Sequence, residues 1–125
     1  MSSTNKKIAI IGAGVAGLLA AVTAADRGAK VMLFEKMPKV GLKMGITGKG
    51  RCNLTNSAPI MDFIGKTPGN GKFLYSAYEA FSNTDLLELL HSYGLATKVE
   101  RGGRVFPASD DAQEVRHLFM RLLKE

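Results

Sequence analysis

The chain has 125 residues, 14 of them Gly, and a net charge of +6 from 17 Lys and Arg against 11 Asp and Glu. Hydrophobic residues make up 46% and charged residues 22%, which excludes a largely disordered chain and suits one small globular domain. The lone cysteine, Cys52, excludes an internal disulfide and fits a reducing, cytoplasmic setting.

In chain order, Met1–Asn5 reads as a frayed polar tail. Lys6 and Lys7 precede an apolar stretch from Ile8 to Ala25, which superficially resembles a signal peptide. Gly12, Gly14 and Gly17 interrupt it and Asp26-Arg27 close it, so neither a leader nor a membrane span is expected. Lys7–Ile11 reads instead as a strand, apolar from Ile8 on, the pattern of a strand buried on both faces. Gly12–Gly17 is a tight turn into a helix over Val15–Arg27, which Gly28 stops. Lys30–Phe34 is a second apolar strand, closing with Glu35, and the three elements form a right-handed parallel βαβ unit.

Lys36–Asn70 shows no periodicity and reads as a long loop. A helix is expected over Lys72–Phe81. A second, over Asp85–Tyr93, would be capped by Ser82 or Thr84, with Leu86, Leu89, Leu90 and Tyr93 on one side and Gly94 past its end. Thr97–Arg101 and Arg104–Phe106 flank Gly102-Gly103 as a β-hairpin. Ser109 or Asp110 would cap a last helix with an apolar stripe of Ala112, Val115, Leu118, Phe119 and Leu122. The expected class is α/β: a Rossmann-like βαβ unit followed by a Gly-rich loop, helices and a hairpin.

Two motifs carry chemistry. The first is Gly12-Ala13-Gly14-Val15-Ala16-Gly17, a GxGxxG between a strand and a helix. Gly12 permits the sharp turn, Gly14 admits a pyrophosphate to the backbone, and Gly17 lets helix and strand approach. The helix N-terminus offers amides and partial positive charge to phosphates. Glu35 stands eighteen residues after Gly17, where an acid accepts hydrogen bonds from adenosine ribose hydroxyls and repels a 2′-phosphate. The motif alone does not separate FAD from NAD.

The second motif is the Gly- and Lys/Arg-rich run Gly41–Asn56. Its amides suit an anion-binding nest. Arg51 offers a fork for phosphate or a flavin carbonyl, and Thr47, Asn53 and Thr55 offer orienting hydrogen bonds. It is not a P-loop, because Gly48-Lys49 is followed by Gly50 rather than Ser or Thr. On the residues alone, a mobile basic surface loop is an equal alternative.

The run TGKGRCNLTN, Thr47–Asn56, resembles the signature of the BaiN-like family of NAD(P)/FAD-dependent oxidoreductases, also described as aminoacetone-oxidase-type flavoproteins. The opening IAIIGAGVAGLLAA, the FEK ending at Lys36, and GGRVFP at Gly102–Pro107 with Ser109-Asp110 extend the resemblance over nearly the whole chain. Many members read GGGRCN, with glycine where this chain has Lys49. The resemblance implies noncovalent FAD, with Glu35 on its ribose and the Gly12–Gly17 turn (Ala13, Val15 and Ala16 included) on its pyrophosphate. It places Lys36, Lys43, Thr47, Gly48, Gly50, Arg51, Asn53 and Thr55 along or near the cofactor. It implies hydride transfer between flavin and an unidentified small organic molecule, with NAD(P)H as the candidate electron donor.

Other residues read as structural. Cys52 has no second thiol for dithiol chemistry. His91 and His117 lack the neighbours of a metal site, so no metal is expected. No residue is assigned as a catalytic acid or base. Neither a nucleic-acid motif nor aromatic–basic interleaving is present, so no nucleic-acid partner is expected and the positive charge is assigned to an anionic cofactor. A dinucleotide-binding sheet normally has a third parallel strand, so the reading is an incomplete doubly wound domain, the N-terminal part of a larger flavoprotein. Such a piece is expected to lack the substrate domain, to be inactive alone and to self-associate through an uncovered apolar face. The competing reading is a small nucleotide-binding module without redox turnover.

Overall fold

A computed structural model describes residues 6–124. The expected tail, Met1–Asn5, lies outside the described residues. The elements run β1 (Lys7–Ile11), α1 (Val15–Asp26), β2 (Lys30–Phe34), a one-turn α2 (Thr47–Gly50), β3 (Thr55–Asn56), α3 (Ile60–Lys66), α4 (Tyr75–Ala80), α5 (Asn83–Ser92), β4 (Thr97–Val99), β5 (Arg104–Pro107) and α6 (Ala112–Leu122). Short 3₁₀ turns occupy Met44–Ile46, Gly71–Leu74 and Arg101–Gly103. The chain forms two compact units: one runs as far as Cys52 and resumes at Asp111, and the other is Asn53–Asp110.

In the first unit β1 and β2 pair in parallel, from Lys7 opposite Lys30 to Ile11 opposite Phe34. The βαβ unit therefore matches the sequence reading strand for strand. α1 buries Leu18, Ala21 and Val22. One sheet face, with Ile8, Ile10, Val31 and Leu33, is half-buried. The other carries Ala9, Ile11, Met32 and Phe34 and is exposed, with Ile11 at 82% and Phe34 at 51%. The strands are thus apolar on both faces, as the sequence states, but buried on only one, because no described residue of this unit covers the second. A parallel sheet ordinarily has both faces covered.

α6 belongs to this unit and buries Ala112, Val115, Leu118 and Phe119. Its cap is Asp111, whose Oδ1 accepts from the Gln113 amide at 2.8 Å, rather than Ser109 or Asp110. Asp110 instead takes a left-handed φ of 58° and pairs with Lys98.

In the second unit β3–β5–β4 form an antiparallel sheet, with Thr55 opposite Val105 and Thr97 opposite Pro107. The hairpin is as expected, and β3 adds a strand. The stretch 36–70, expected to lack structure, holds α2, β3 and α3. β3 is two residues held by a partner about fifty residues away, which leaves no local periodicity to read. α3 did carry a signal, since Ile60, Phe63 and Ile64 have helical spacing. The helix expected over Lys72–Phe81 is a 3₁₀ turn followed by α4. α5 starts at Asn83 behind a capping box: the Asp85 amide donates to Ser82 Oγ at 3.1 Å, and the Ser82 amide to Asp85 Oδ2 at 2.7 Å. Ile64, Leu90, Leu95, Val105 and Phe106 are buried.

Candidate functional site

The candidate site lies at the C-terminal ends of β1 and β2. The Gly12 amide donates to the Phe34 carbonyl at 2.7 Å and turns the chain with a φ of 96°, a region open chiefly to glycine. Ala13 is fully buried. Its amide donates to Glu35 Oε2 at 2.8 Å, and its carbonyl accepts from the Gly41 amide at 2.8 Å. Both backbone groups of Ala13 are therefore committed, which fixes the plane of the Gly-rich turn.

Glu35 also accepts from the Met37 amide, at Oε1, at 2.9 Å. The amides of Met37 and Ala13 together hold its carboxyl below the usual range, against a smaller effect of desolvation. An ionised carboxylate has about four acceptor positions, so the amides of Met37 and Ala13, with a lesser contribution from the Lys36 amide, leave room for a ribose hydroxyl.

α1 begins at Gly14 with no side-chain cap and no acidic residue in its first turn. Its first-turn amides have no intrahelical acceptor, and the turn itself carries no acidic side chain to compete for them. A Cβ built on Gly14 meets nothing within 4 Å, so the backbone there is open to a ligand. A Cβ on Gly17 would fall inside contact distance of the Gly12 carbonyl oxygen. The two glycines do separate work: one leaves space outside, the other permits close packing inside. Ile11, Gly12, Phe34, Glu35 and Lys36 line an open depression of about 480 Å³, in the size range of cofactor pockets. An uncapped helix start and an open glycine, close in the chain to a depression lined by Gly12 and a ribose-competent acid, fit a dinucleotide.

A family model described as the HI0933-like protein Rossmann domain matches residues 6–125. The chain belongs to this family. It is a flavoprotein family of oxidoreductases, as the signature blocks lead one to expect, and its Rossmann domain supports FAD binding. The chain is 41% identical over 117 residues to the 3-dehydro-bile acid delta(4,6)-reductase of Clostridium scindens, covering 90% of this chain and 27% of that protein. It is 33% identical over 111 residues to the ribosomal RNA dihydrouridine synthase of Escherichia coli, covering 85% of this chain and 26% of that protein. The ribosomal RNA dihydrouridine synthase of Haemophilus influenzae is likewise 33% identical, over 107 residues, covering 85% of this chain and 26% of that protein. The chain spans about a quarter of the length of these relatives.

The family signature starts in the first unit. Lys43 is exposed and precedes the Met44–Ile46 turn. Thr47 Oγ1 donates to the Met44 carbonyl at 3.0 Å. Gly48, Lys49 and Gly50 are all left-handed, with φ of 57°, 59° and 84°. Glycine at position 49 would take that conformation without strain. Arg51 is half-buried. Cys52 is buried, with a left-handed φ of 62°; burial pushes its thiol up, and a Thr47 hydrogen bond offsets this only in part. That environment disfavours a thiolate. Asn53, exposed, and Thr55, paired with Val105, belong to the second unit.

Sequence reasoning missed two kinds of candidate site residue. Ile11 and Phe34 line the depression; their position at the ends of parallel strands, where ligands gather, was a usable signal. Gln113 and Arg116 of α6 reach the loop after β2, and nothing local in the sequence marks them. Among the described residues no group of three or more His, Cys, Asp or Glu could hold a metal, and no helix is long and apolar enough to cross a membrane.

Proposed function

We propose that the chain forms the adenosine-diphosphate-binding part of an FAD site, within a flavin-dependent oxidoreductase that acts on a small organic molecule. The observation that carries this reading is the open, uncapped start of α1 at Gly14, one residue after the Ala13 amide that donates to Glu35. The amides of Gly14, Val15 and Ala16 take the pyrophosphate, with Gly12 and Ala13 shaping the turn and Gly17 its packing. Glu35 takes the ribose hydroxyls, and Lys36 lines the same depression. Lys43, Thr47, Gly48, Gly50, Arg51, Asn53 and Thr55 complete the cofactor surroundings, Arg51 as the cation that tunes the flavin. Bound FAD supplies hydride chemistry, with NAD(P)H as electron donor. This chain binds and orients, and no residue of it is assigned as a general acid or base. Identity of 41% to a bile-acid reductase, against 33% to an enzyme named for ribosomal RNA, favours a small-molecule substrate.

The exposed face of Ala9, Ile11, Met32 and Phe34 supports a further reading: the chain is the N-terminal part of a longer, cytoplasmic polypeptide whose remainder covers that face and supplies the substrate domain. The isolated chain is then inactive, binds FAD weakly and self-associates.

Equilibrium dialysis of the isolated chain against FAD, ADP-ribose and FMN tests the cofactor. FAD and ADP-ribose should compete, and FMN, which lacks the adenosine half, should displace neither. Displacement by FMN, or no retention of either FAD or ADP-ribose, counts against the site. Retention of ADP-ribose with FAD rejected favours a nucleotide module without redox turnover.

A further inference from the structure

Arg116 lies on α6, far in sequence from both motifs, yet it bonds to the loop between β2 and α2. Its Nε donates to the Val40 carbonyl at 2.8 Å, and its Nη1 donates to Gln113 Oε1 at 2.8 Å, one helical turn away. The Val40 carbonyl and the Gly41 amide belong to one planar trans peptide. That amide donates to the Ala13 carbonyl at 2.8 Å. The Ala13 carbonyl in turn shares a planar trans peptide with the Gly14 amide, which faces the opposite way. A guanidinium, two peptide planes and the Gly14 N–H thus form one hydrogen-bonded series ending where Gly14 is open to a ligand. Each link is polarised in the same sense, which strengthens the last donor toward an anion.

The packing supports the same path. A Cβ on Gly41 would lie 3.6 Å from Arg116 Cγ, and one on Gly45 would lie 3.0 Å from Gln113 Nε2. The Gly45 amide closes the loop onto the Gly41 carbonyl at 3.0 Å. α6 therefore meets this loop at the Val40 carbonyl, at Gly41 and at Gly45. A Lys39-, Gln113- and Arg116-lined cavity of about 130 Å³ beside the contact contains no acidic side chain to compete for the guanidinium.

We propose that Arg116 is a positioning residue: through the Val40–Gly41 and Ala13–Gly14 peptides it orients and polarises the Gly14 amide for a nucleotide phosphate. The proposal rests on the functional reading above. It assigns a role in phosphate binding to a helix that makes no part of the GxGxxG motif.

The test uses the 125-residue chain and its Arg116→Met, Arg116→Lys and Gln113→Ala variants, with ADP and adenosine titrated by NMR. Arg116→Met should weaken ADP roughly tenfold, the worth of one charge-assisted hydrogen bond, and leave adenosine unchanged. It should also shift the Gly14 amide resonance and speed hydrogen exchange at Gly41. Arg116→Lys should restore part of the ADP affinity. Gln113→Ala, which keeps the Nε bond, should act in the same direction but less, and it decides the matter if Arg116→Met does not fold. Equal weakening of ADP and adenosine indicates a merely structural residue and overturns the proposal, as does an unchanged ADP affinity. If the unaltered chain binds no ADP, the functional reading fails separately, and Gly41 exchange judges the relay: faster exchange supports it, unchanged exchange overturns it.

Discussion

Gly14 and Gly17 stand three residues apart in one motif, and adding the same methyl group to each should have opposite consequences. At Gly17 the new Cβ would overlap the Gly12 carbonyl oxygen, with the Gly12 carbonyl carbon at 3.0 Å and Ile10 Cγ2 at 3.5 Å. The obstacle is backbone, and the Gly12 peptide is itself held by the bond to Phe34, so relief requires α1 to move off β1. Overpacking of that kind costs about 3 kcal/mol, at the upper end of its usual range. Alanine returns about 1 kcal/mol of helix propensity, for a net loss of about 2 kcal/mol. In a chain of this size that lowers Tm by roughly 6–10 °C. At Gly14 the backbone is extended, with φ −78° and ψ −172°, and a Cβ meets nothing. Alanine is a poorer cap than glycine but restricts the unfolded chain, and the two effects offset to within about 0.5 kcal/mol. The methyl would instead stand where the pyrophosphate approaches. Thermal melts followed by circular dichroism, with ADP titrations alongside, separate the cases. Gly17→Ala should lose stability. Gly14→Ala should keep stability and lose ADP affinity by about tenfold or more. A Gly17→Ala variant as stable as the parent, or a Gly14→Ala variant that binds ADP normally, would refute the assignment of the two glycines.

Three further expectations follow from the same structure. Glu35 has its carboxyl depressed by the amides of Met37 and Ala13. The order it gives the Gly-rich turn is therefore complete above the ordinary carboxylate range and fades as pH falls through the lowered value. Amide exchange at Ala13 should rise over that acid window; an Ala13 amide equally protected in Glu35→Ala would count against the carboxylate. Lys49→Gly removes a left-handed non-glycine residue and should raise stability by up to about 1 kcal/mol in urea melts; a loss of stability would show that the Lys49 side chain is needed. Met32→Lys puts a charge on the exposed β1–β2 face and should reduce concentration-dependent association in sedimentation without lowering Tm, whereas unchanged association would place the sticky surface elsewhere.

The βαβ unit was legible because its signals are local and agree with one another. The strand–glycine–helix–strand order, Gly28 past the helix end and Glu35 at the second strand end all lie within one unit of about thirty residues. The single-sided burial of β1 and β2 was less legible, since Ile11 and Phe34 look like core residues until the neighbouring layers are known. Between residues 36 and 70 the difficulty was different. The left-handed turn at 48–50 and the two-residue β3 are set by glycine geometry and by a distant partner, Val105, and neither produces a period. Gly41 was visible in sequence only as one glycine among several. Its importance comes from the carbonyl it reaches at Ala13 and from Arg116, which reaches it in turn through Val40. The cap of α6 was misplaced by one residue from Asp110, because Lys98 claims Asp110 across the fold of the second unit.

The central claim is that the Gly-rich turn and Glu35 together hold the adenosine-diphosphate half of FAD. Amide NMR shifts of the 125-residue chain during an FAD titration test it most directly. Saturable shifts concentrated at Gly12, Ala13, Gly14, Val15 and Glu35, weaker than micromolar and reproduced at the same amides by ADP-ribose, are the predicted result. No saturable change at these amides, or shifts centred on the second unit instead, would contradict it.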